Sequence, residues 1–324
     1  MKAIPRLATT FTASAFVASV VLIGGASVRA TAQSRFSGIV VFGTSLSDPG
    51  NAFALSGDAS TPPDFTLNPL LVPSAPYAKG GHHFSNGATW IEQFARTVGL
   101  ADTVRPAFAT NDPLVTNYAV GAARAYDDGM NLNLTRQVDA FLERAGGVAP
   151  SQALYVVEMG GNDIRDAFQI YAVGGNGGPI LPAALASIAR NIQRLYLAGA
   201  REYLVWVPPN VALTPAIRSL GPAAGALATT LTEAFDAGLA EMLNQLSVAL
   251  PGASVARLDV HRIQNAIIAD PGAFGFTTVT TACVTPNVAP FTCKDPDAFL
   301  FWDGIHPTKA GHAILAREAG RAVQ

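Results

Sequence analysis

The chain has 324 residues, of which 49% are hydrophobic and 14% are charged, and its formal net charge is −2 at pH 7. This hydrophobic content is ample for a core, and the length fits one large α/β domain. A chain so close to neutral lacks the excess of positive charge that attracts the phosphates of nucleic acid, so we expect no nucleic-acid partner.

The first 32 residues are typical of a secretory signal peptide. Lys2 and Arg6 precede an uncharged apolar stretch, residues 11–26, and Ala30–Ala32 supplies small residues for cleavage. A membrane anchor is the alternative, but the stretch is short and interrupted by glycine for a span of about 20 residues. We therefore predict cleavage near Ala32, a secreted or periplasmic protein, and no stable membrane insertion afterwards.

Residues 33–324 are predicted to form a single domain with a parallel sheet. Short apolar runs alternate with amphipathic segments, a pattern that predicts a layered, doubly wound α/β architecture. The apolar runs are residues 38–43, 114–121, 153–161, 202–208 and 253–260, and the amphipathic segments are residues 89–98, 133–144, 182–198, 223–250 and 308–321. In such sheets, sites gather at the carboxyl ends of the strands.

A candidate nucleophile follows the first apolar run. The segment "VVFGTSLSDPGN", residues 40–51, places Ser45 just beyond the predicted strand. Serine is common in turns, so this position alone fits an ordinary turn residue equally well. A serine nucleophile also needs a base and a carboxylate that orients the base.

The candidate base and carboxylate lie together near the end of the chain. In "FWDGIHPTKAG", residues 301–311, Asp303 and His306 are three positions apart and end at Pro307. One tight turn can hold a carboxylate beside an imidazole at this spacing. Taken alone, the same residues could form an ordinary turn with a solvated histidine.

Two further strand ends carry groups that could stabilise an oxyanion. Gly121 follows the second run, where a backbone N–H could point into the cleft, and Asn162 follows the third with a side-chain amide. A turn glycine and a helix-capping asparagine are the alternatives. All these groups are predicted at the sheet edge that carries Ser45.

These blocks resemble the GDSL, or SGNH, hydrolase family in residue type and in chain order. They are "GTSLSD" around Ser45, "NYAVGA" with Gly121, "GGND" with Asn162, and "DGIHPT" with Asp303 and His306. The resemblance implies a three-layer α/β/α, flavodoxin-like fold with a five-stranded parallel sheet. It also implies a carboxylic ester hydrolase, similar to exported bacterial esterases and lipases of this family.

The resemblance assigns a role to each matched residue. Ser45 would be the nucleophile, His306 the general base and then acid, and Asp303 the orienting carboxylate of a Ser-His-Asp triad. The oxyanion hole would comprise the backbone N–H groups of Ser45 and Gly121 with the Asn162 side chain. The reaction would pass through an acyl-enzyme.

Two positions depart from the family pattern. Thr44 stands where the family has the aspartate of its name, and Ala122 stands where many members have a second glycine. Since Thr44 is outside the triad, we expect activity to survive this change.

The two cysteines, Cys283 and Cys293, are ten positions apart in a loop-like stretch. In an exported protein this spacing favours a disulfide over two free thiols. A metal site there is poorly supported, because two cysteines without a local histidine supply too few ligands. We expect no metal and no cofactor.

Two other functions compete with the serine esterase. A metal-dependent hydrolase would use Asp48, Asn162, Asp303 and His306 as ligands, but such sites usually need more histidines or carboxylates. The second alternative is a binding module without catalytic activity. Nothing favours it, because every catalytic position carries the residue that catalysis requires. Within the leading hypothesis, transfer of the acyl group to an alcohol is a further possibility.

The expected partner is an ester substrate, either a lipid or a small acyl ester. Apolar residues in the long loop over residues 60–87 favour an apolar acyl group; they are Phe65, Leu67, Leu70, Leu71 and Tyr77.

Overall fold

The structure is a computed structural model that describes residues 1, 3 and 34–324. The predicted signal peptide, residues 1–32, therefore lies almost entirely outside the described residues. In the part of the chain that is described, no helix is both long enough and apolar enough to cross a membrane.

A parallel sheet forms the centre of the molecule. Its strands, in spatial order, are β1 (Ile39–Phe42), β2 (Leu154–Val157), β3 (Glu202–Val207) and β4 (Ser254–Asp259). Every residue of β1 and β2 is buried, as expected for strands with helices on both faces. These strands confirm four of the five predicted apolar runs.

The remaining run, residues 114–121, does not form the regular strand that we predicted. It lies parallel to β1 but pairs through a single bridge, between Val41 and Asn117. Val41 N–H donates to the Thr116 carbonyl at 2.9 Å, whereas Asn117 Oδ1 turns back and accepts from Ala119 N–H at 3.0 Å. The segment therefore lies alongside β1 and is hydrogen-bonded to it, but it does not form a regular strand.

Helices flank the sheet. They are α1 (Asn51–Ser56), α2 (Trp90–Thr97), α3 (Leu134–Arg144), α4 (Gly161–Ala172), α5 (Ile180–Ala198), α6 (Pro215–Arg218), α7 (Pro222–Ala249), α8 (Val260–Ala269) and α9 (Lys309–Ala322). The predicted amphipathic segments are confirmed as α2, α3, α5, α7 and α9. The sequence analysis did not predict α4 and α8, which begin within four residues of a strand end.

Two hydrophobic cores, one on each face of the sheet, confirm the three-layer α/β/α architecture. On one face Tyr155 of β2 packs with residues of α3, α5 and α7, among them Phe235. On the other face Trp90 of α2 packs beside Trp206 of β3, with ring centroids 5.4 Å apart, among residues of α8 and α9.

Helix caps determine where the loops at the carboxyl edge of the sheet end. The Thr308 hydroxyl accepts from Gly311 N–H at 3.2 Å, so α9 begins at Lys309, directly after the turn that carries His306. Gly160 precedes α4 with φ of 112°, a conformation that favours glycine. It thereby places Asn162 in the first turn of α4.

A small lobe packs beside this edge. It contains the short strands β5 (Thr278–Ala282) and β6 (Phe299–Phe301) and a hydrophobic cluster of Phe65, Tyr77, Cys283, Val284 and Trp302. Cys283 and Cys293 form the predicted disulfide, with their Cα atoms 4.9 Å apart.

We expect the disulfide to contribute to stability rather than to chemistry. Replacing both cysteines with serine should lower the free energy of unfolding by about 2–3 kcal/mol, because the bridge closes a loop of about ten residues. Guanidinium unfolding of the double variant and of the oxidised wild type measures the difference. Reduced wild type is the control and should match the variant; equal midpoints for the variant and the oxidised protein would contradict this expectation.

Candidate active site

Ser45 lies in the turn that follows β1, and its side chain faces a histidine from the far end of the chain. Its Oγ is 2.8 Å from His306 Nε2, across a sequence separation of 261 residues. Both residues are buried, at 8% and 3% exposure, so water competes little for this hydrogen bond.

Asp303 holds both the ring and the backbone of the histidine turn. Its Oδ2 is 2.7 Å from His306 Nδ1, and its Oδ1 accepts from the backbone N–H groups of Ile305 and His306 at 2.9 and 2.8 Å. The structure thus joins the three predicted residues in one chain of hydrogen bonds, Ser45–His306–Asp303.

Tyr77 adds a contact that the sequence analysis missed. Its hydroxyl donates to Asp303 Oδ2 at 2.8 Å. Burial and the neighbouring Asp303 charge raise the pKa of Tyr77 well above its usual range, so the phenol stays a neutral donor. The sequence predicts only an apolar contribution from Tyr77, whereas in the structure its hydroxyl also supports the carboxylate behind His306.

Glu158 binds Thr44, the position at which the chain departs from the family pattern. It follows β2 directly, and its carboxyl accepts from Thr44 N–H at 2.7 Å and contacts the Thr44 hydroxyl at 3.0 Å. Burial raises the pKa of Glu158 to about 8, although the hydrogen bonds from Thr44 act in the opposite direction. A carboxyl group from the second strand therefore anchors the residue that precedes Ser45.

Gly121 differs from its predicted role. Its N–H donates to Asp48 Oδ2 at 2.8 Å and so is not free in the cleft. A Cβ atom at this position would collide with the ring of Phe84, which packs on His306 with centroids 5.4 Å apart. Glycine is thus required here for close packing.

Asp48 joins two loops of the site. Besides Gly121 N–H, its carboxyl accepts from the backbone N–H groups of Gly50, Asn51 and Ala52, at 2.8, 2.6 and 3.1 Å, at the start of α1. Burial raises the pKa of Asp48 to about 6, although the four backbone donors lower it. The carboxyl group thus caps the start of α1, and the sequence did not reveal its bond to Gly121.

Ala122 has the unusual backbone conformation in this loop. Its φ is 64°, in the left-handed region that non-glycine residues seldom adopt. Its N–H has no acceptor among the described residues, and it lines a cavity together with Ser45, Asn162 and His306.

Asn162 is held at the start of α4, facing this loop. Its Nδ2 donates to the Ala123 carbonyl at 2.7 Å, which leaves the second amide hydrogen for another acceptor. The neighbouring Asp163 accepts from the N–H groups of Ala125 and Tyr126, and burial raises its pKa to about 6. Helix α4 and the loop after Gly121 are therefore tied together.

Two cavities meet at the Ser45 hydroxyl. The first has a mainly apolar wall that includes Leu46, Leu70, Phe168, Val211 and Ile217. The second is more polar and includes Asp58, Ser74 and Ala122. An ester bound with its carbonyl carbon at Ser45 could extend one part into each cavity.

The four groups that we considered as metal ligands have other partners. Asp48 and Asp303 accept backbone N–H groups, Asn162 donates to a carbonyl, and His306 is hydrogen-bonded to Ser45 and Asp303. Within residues 34–324, no group of three or more His, Cys, Asp or Glu side chains could hold a metal ion.

The raised pKa of Glu158 predicts a pH-dependent stability. From its ordinary value of 4.5 up to about pH 8, the folded protein retains a proton that the unfolded chain has lost. The free energy of unfolding should therefore fall as the pH rises through this window. Asp48 and Asp163 act in the same sense, but only up to about pH 6.

The variant Glu158→Gln should flatten this decline between about pH 6 and 8, because the amide cannot lose a proton. Guanidinium unfolding at several pH values in that window measures it. Exposed Glu241 supplies the control, and Glu241→Gln should keep the wild-type slope. Parallel curves for Glu158→Gln and wild type would show that Glu158 does not titrate there.

A known protein family matches most of this chain. Residues 39–319 match the family model described as GDSL-like Lipase/Acylhydrolase. A GDSL esterase/lipase of Arabidopsis thaliana is 25% identical over 334 residues, covering 90% of this chain and 87% of the relative. Another from the same plant is 26% identical over 348 residues, covering 93% and 92%.

Among solved structures, an extracellular lipase from Streptomyces rimosus aligns with a TM-score of 0.40 and 14% identity, covering 89% of this chain and 99% of that one. The family model spans most of the chain and includes Ser45, Asn162, Asp303 and His306. The chain therefore belongs to the GDSL-like lipase/acylhydrolase family and is a carboxylic ester hydrolase.

Proposed function

We propose that the protein is a serine esterase or lipase that works through an acyl-enzyme on Ser45. The observation that carries this proposal is the continuous chain of hydrogen bonds, 2.8 Å from Ser45 Oγ to His306 Nε2 and 2.7 Å from His306 Nδ1 to Asp303. This is the order of nucleophile, base and orienting carboxylate that serine catalysis requires.

In the first half-reaction, Ser45 Oγ attacks the ester carbonyl carbon while His306 Nε2 takes the hydroxyl proton. The carbonyl oxygen becomes an oxyanion, and its collapse breaks the bond to the alcohol, which leaves with the proton from His306. Water then attacks the acyl-serine in the same way and releases the acid. An alcohol in place of water would give acyl transfer instead.

The oxyanion hole comprises the Ser45 N–H, the Asn162 side-chain amide and the Ala122 N–H. Ala122 takes the place that we first gave to Gly121, whose N–H is already bonded to Asp48. Two features support this assignment: the left-handed φ of Ala122 and the absence of an acceptor for its N–H among the described residues. Donors fixed before substrate binds stabilise the transition state without reorganisation.

The acyl group occupies the first cavity. Its wall is mainly apolar, as the loop composition led us to expect, and Leu70 from that loop contributes to it. The cavity volume of about 210 Å³ is below the roughly 300–1,000 Å³ of typical small-molecule pockets. The size therefore favours a short acyl chain.

The protein acts outside the cytoplasm, after removal of residues 1–32. Two features support this: the charge and hydropathy pattern of that segment and the Cys283–Cys293 disulfide, since disulfides persist in oxidising compartments.

Ser45→Ala should abolish ester hydrolysis, because the variant has no attacking hydroxyl. We expect kcat on p-nitrophenyl butyrate to fall by at least about 10⁴-fold. An organophosphate should add its mass to the wild type but not to the variant. The matched control is Ser247→Ala, a change on the exposed face of α7.

Turnover near the wild-type rate in folded Ser45→Ala would exclude the acyl-enzyme. Loss of wild-type activity in a chelator would instead favour the metal-dependent alternative.

Asn162→Ala tests the oxyanion hole. Losing one donor should lower kcat by about 10²- to 10³-fold with a smaller effect on KM. Steady-state kinetics on the same ester measure both parameters, and Asn244→Ala on the surface of α7 is the control. A raised KM with unchanged kcat would mean that Asn162 binds substrate and that the oxyanion donors lie elsewhere.

A further inference from the structure

Arg165 has no assigned part in the chemistry, yet its side chain lines both cavities at Ser45. It lies three positions after Asn162 on α4 and so points from the same face of the helix. Its Nε is shielded from solvent and has no hydrogen-bond partner within the described part of the chain. The active-site cleft thus contains a cation without a visible role.

The neighbouring acidic residue on α4, Asp166, forms its ion pair with another arginine. Arg124 donates to it through Nε at 2.7 Å and through Nη2 at 3.0 Å, and the Tyr126 hydroxyl donates to it at 2.9 Å. No carboxylate lies within 4.0 Å of the Arg165 guanidinium nitrogens in residues 34–324.

The surroundings of Arg165 disfavour its positive charge. Burial lowers the pKa of Arg165, and the like charge of Arg124 acts in the same direction, against the attraction of Asp166. A guanidinium nevertheless remains charged in proteins, and a partly buried cation without a partner carries a desolvation cost. A bound anion would remove that cost, since guanidinium matches carboxylate and phosphate in a two-pronged geometry.

The first cavity suits an anion better than the second. Arg165 is the one permanently charged side chain among the residues that line it, and no carboxylate is present there. The second cavity contains exposed Asp58, which would repel an anion. A negatively charged group close to the ester therefore meets favourable charge in the first cavity.

We propose that Arg165 forms a subsite for an anionic group of the ester substrate, a carboxylate or a phosphate, bound in the first cavity beside Ser45. This proposal rests on the serine esterase function proposed above and narrows its substrate class. Arg165 then determines specificity: it selects esters that carry a negative charge within a few bonds of the carbonyl.

Matched ester pairs test the subsite, with one arm for each side of the ester. On the acyl side, p-nitrophenyl pentanoate is compared with the mono-p-nitrophenyl ester of glutaric acid, which replaces the terminal methyl with a carboxylate. On the alcohol side, 1-hexanoylglycerol is compared with 1-hexanoylglycerol 3-phosphate. The quantity measured is the ratio of kcat/KM for the anionic ester to that for its neutral partner.

In Arg165→Gln we expect this ratio to fall by about 10- to 100-fold in at least one arm, the range for losing a hydrogen bond to a charged group. For Arg165→Lys we expect a smaller fall in the ratio, because lysine keeps the positive charge but cannot form the two-pronged hydrogen bonds of a guanidinium. Arg190→Gln, an exposed change on α5, should keep the wild-type ratio. The arm that responds identifies which side of the ester occupies the first cavity; a response in the alcohol arm alone would support the subsite but overturn the placement of the acyl group there.

An unchanged ratio in both arms of Arg165→Gln would overturn the subsite. Equal losses on the charged and neutral esters would do so as well, since Arg165 would then act on the reaction itself or on the fold. If the wild type hydrolyses the neutral esters, the serine esterase function stands whatever the Arg165 variants show, so a failed subsite can be told apart from a failed esterase function. If the wild type hydrolyses none of the four esters, the serine esterase function fails and the subsite fails with it.

Discussion

The loops at the carboxyl edge of the sheet are held by buried carboxyl groups that accept hydrogen bonds from backbone N–H groups. Asp303 holds the turn of His306, Glu158 holds the residue before the nucleophile, and Asp48 and Asp163 hold the loop after Gly121. Each carboxyl group pays a desolvation penalty that its N–H donors offset. Their pKa values reflect this balance, since burial raises the pKa of Glu158, Asp48 and Asp163 despite the donors.

This arrangement explains how an irregular set of loops can present a defined catalytic geometry. Strands β1 and β2 are rigid, but Ser45, Ala122 and His306 all lie beyond regular secondary structure. A carboxyl group that accepts several N–H groups fixes the backbone of a loop without needing it to be a strand or a helix. Groups that are fixed in advance need little reorganisation when charge develops on a substrate, which is the main physical requirement of an oxyanion hole.

The same carboxyl groups determine the charge that a substrate meets. Asp48, Glu158, Asp163 and Asp303 are turned toward backbone groups and are buried, so none of them lines the first cavity. Arg165 on α4 is left there without a partner, while Arg124 nearby is neutralised by Asp166. The acidic residues of the site thus hold the backbone in place, and the wall of the first cavity is mainly apolar with one positively charged side chain.

The sequence by itself determined the features that depend on neighbouring residues. Apolar runs defined four strands, because strands buried on both faces must be apolar throughout, and the spacing of Asp303 and His306 placed both on one turn. Only the tertiary structure decided the contacts between distant segments: Tyr77 with Asp303 across 226 residues, Thr44 with Glu158 across 114, and Asp48 with Gly121 across 73. No local sequence pattern identifies such partners, because a buried carboxyl group and its donor are far apart in the sequence and become neighbours only in the folded chain. The acceptor of the Gly121 N–H, Asp48, is likewise not visible in the sequence, because the two groups meet only when the loops after β1 and after residue 117 are packed together.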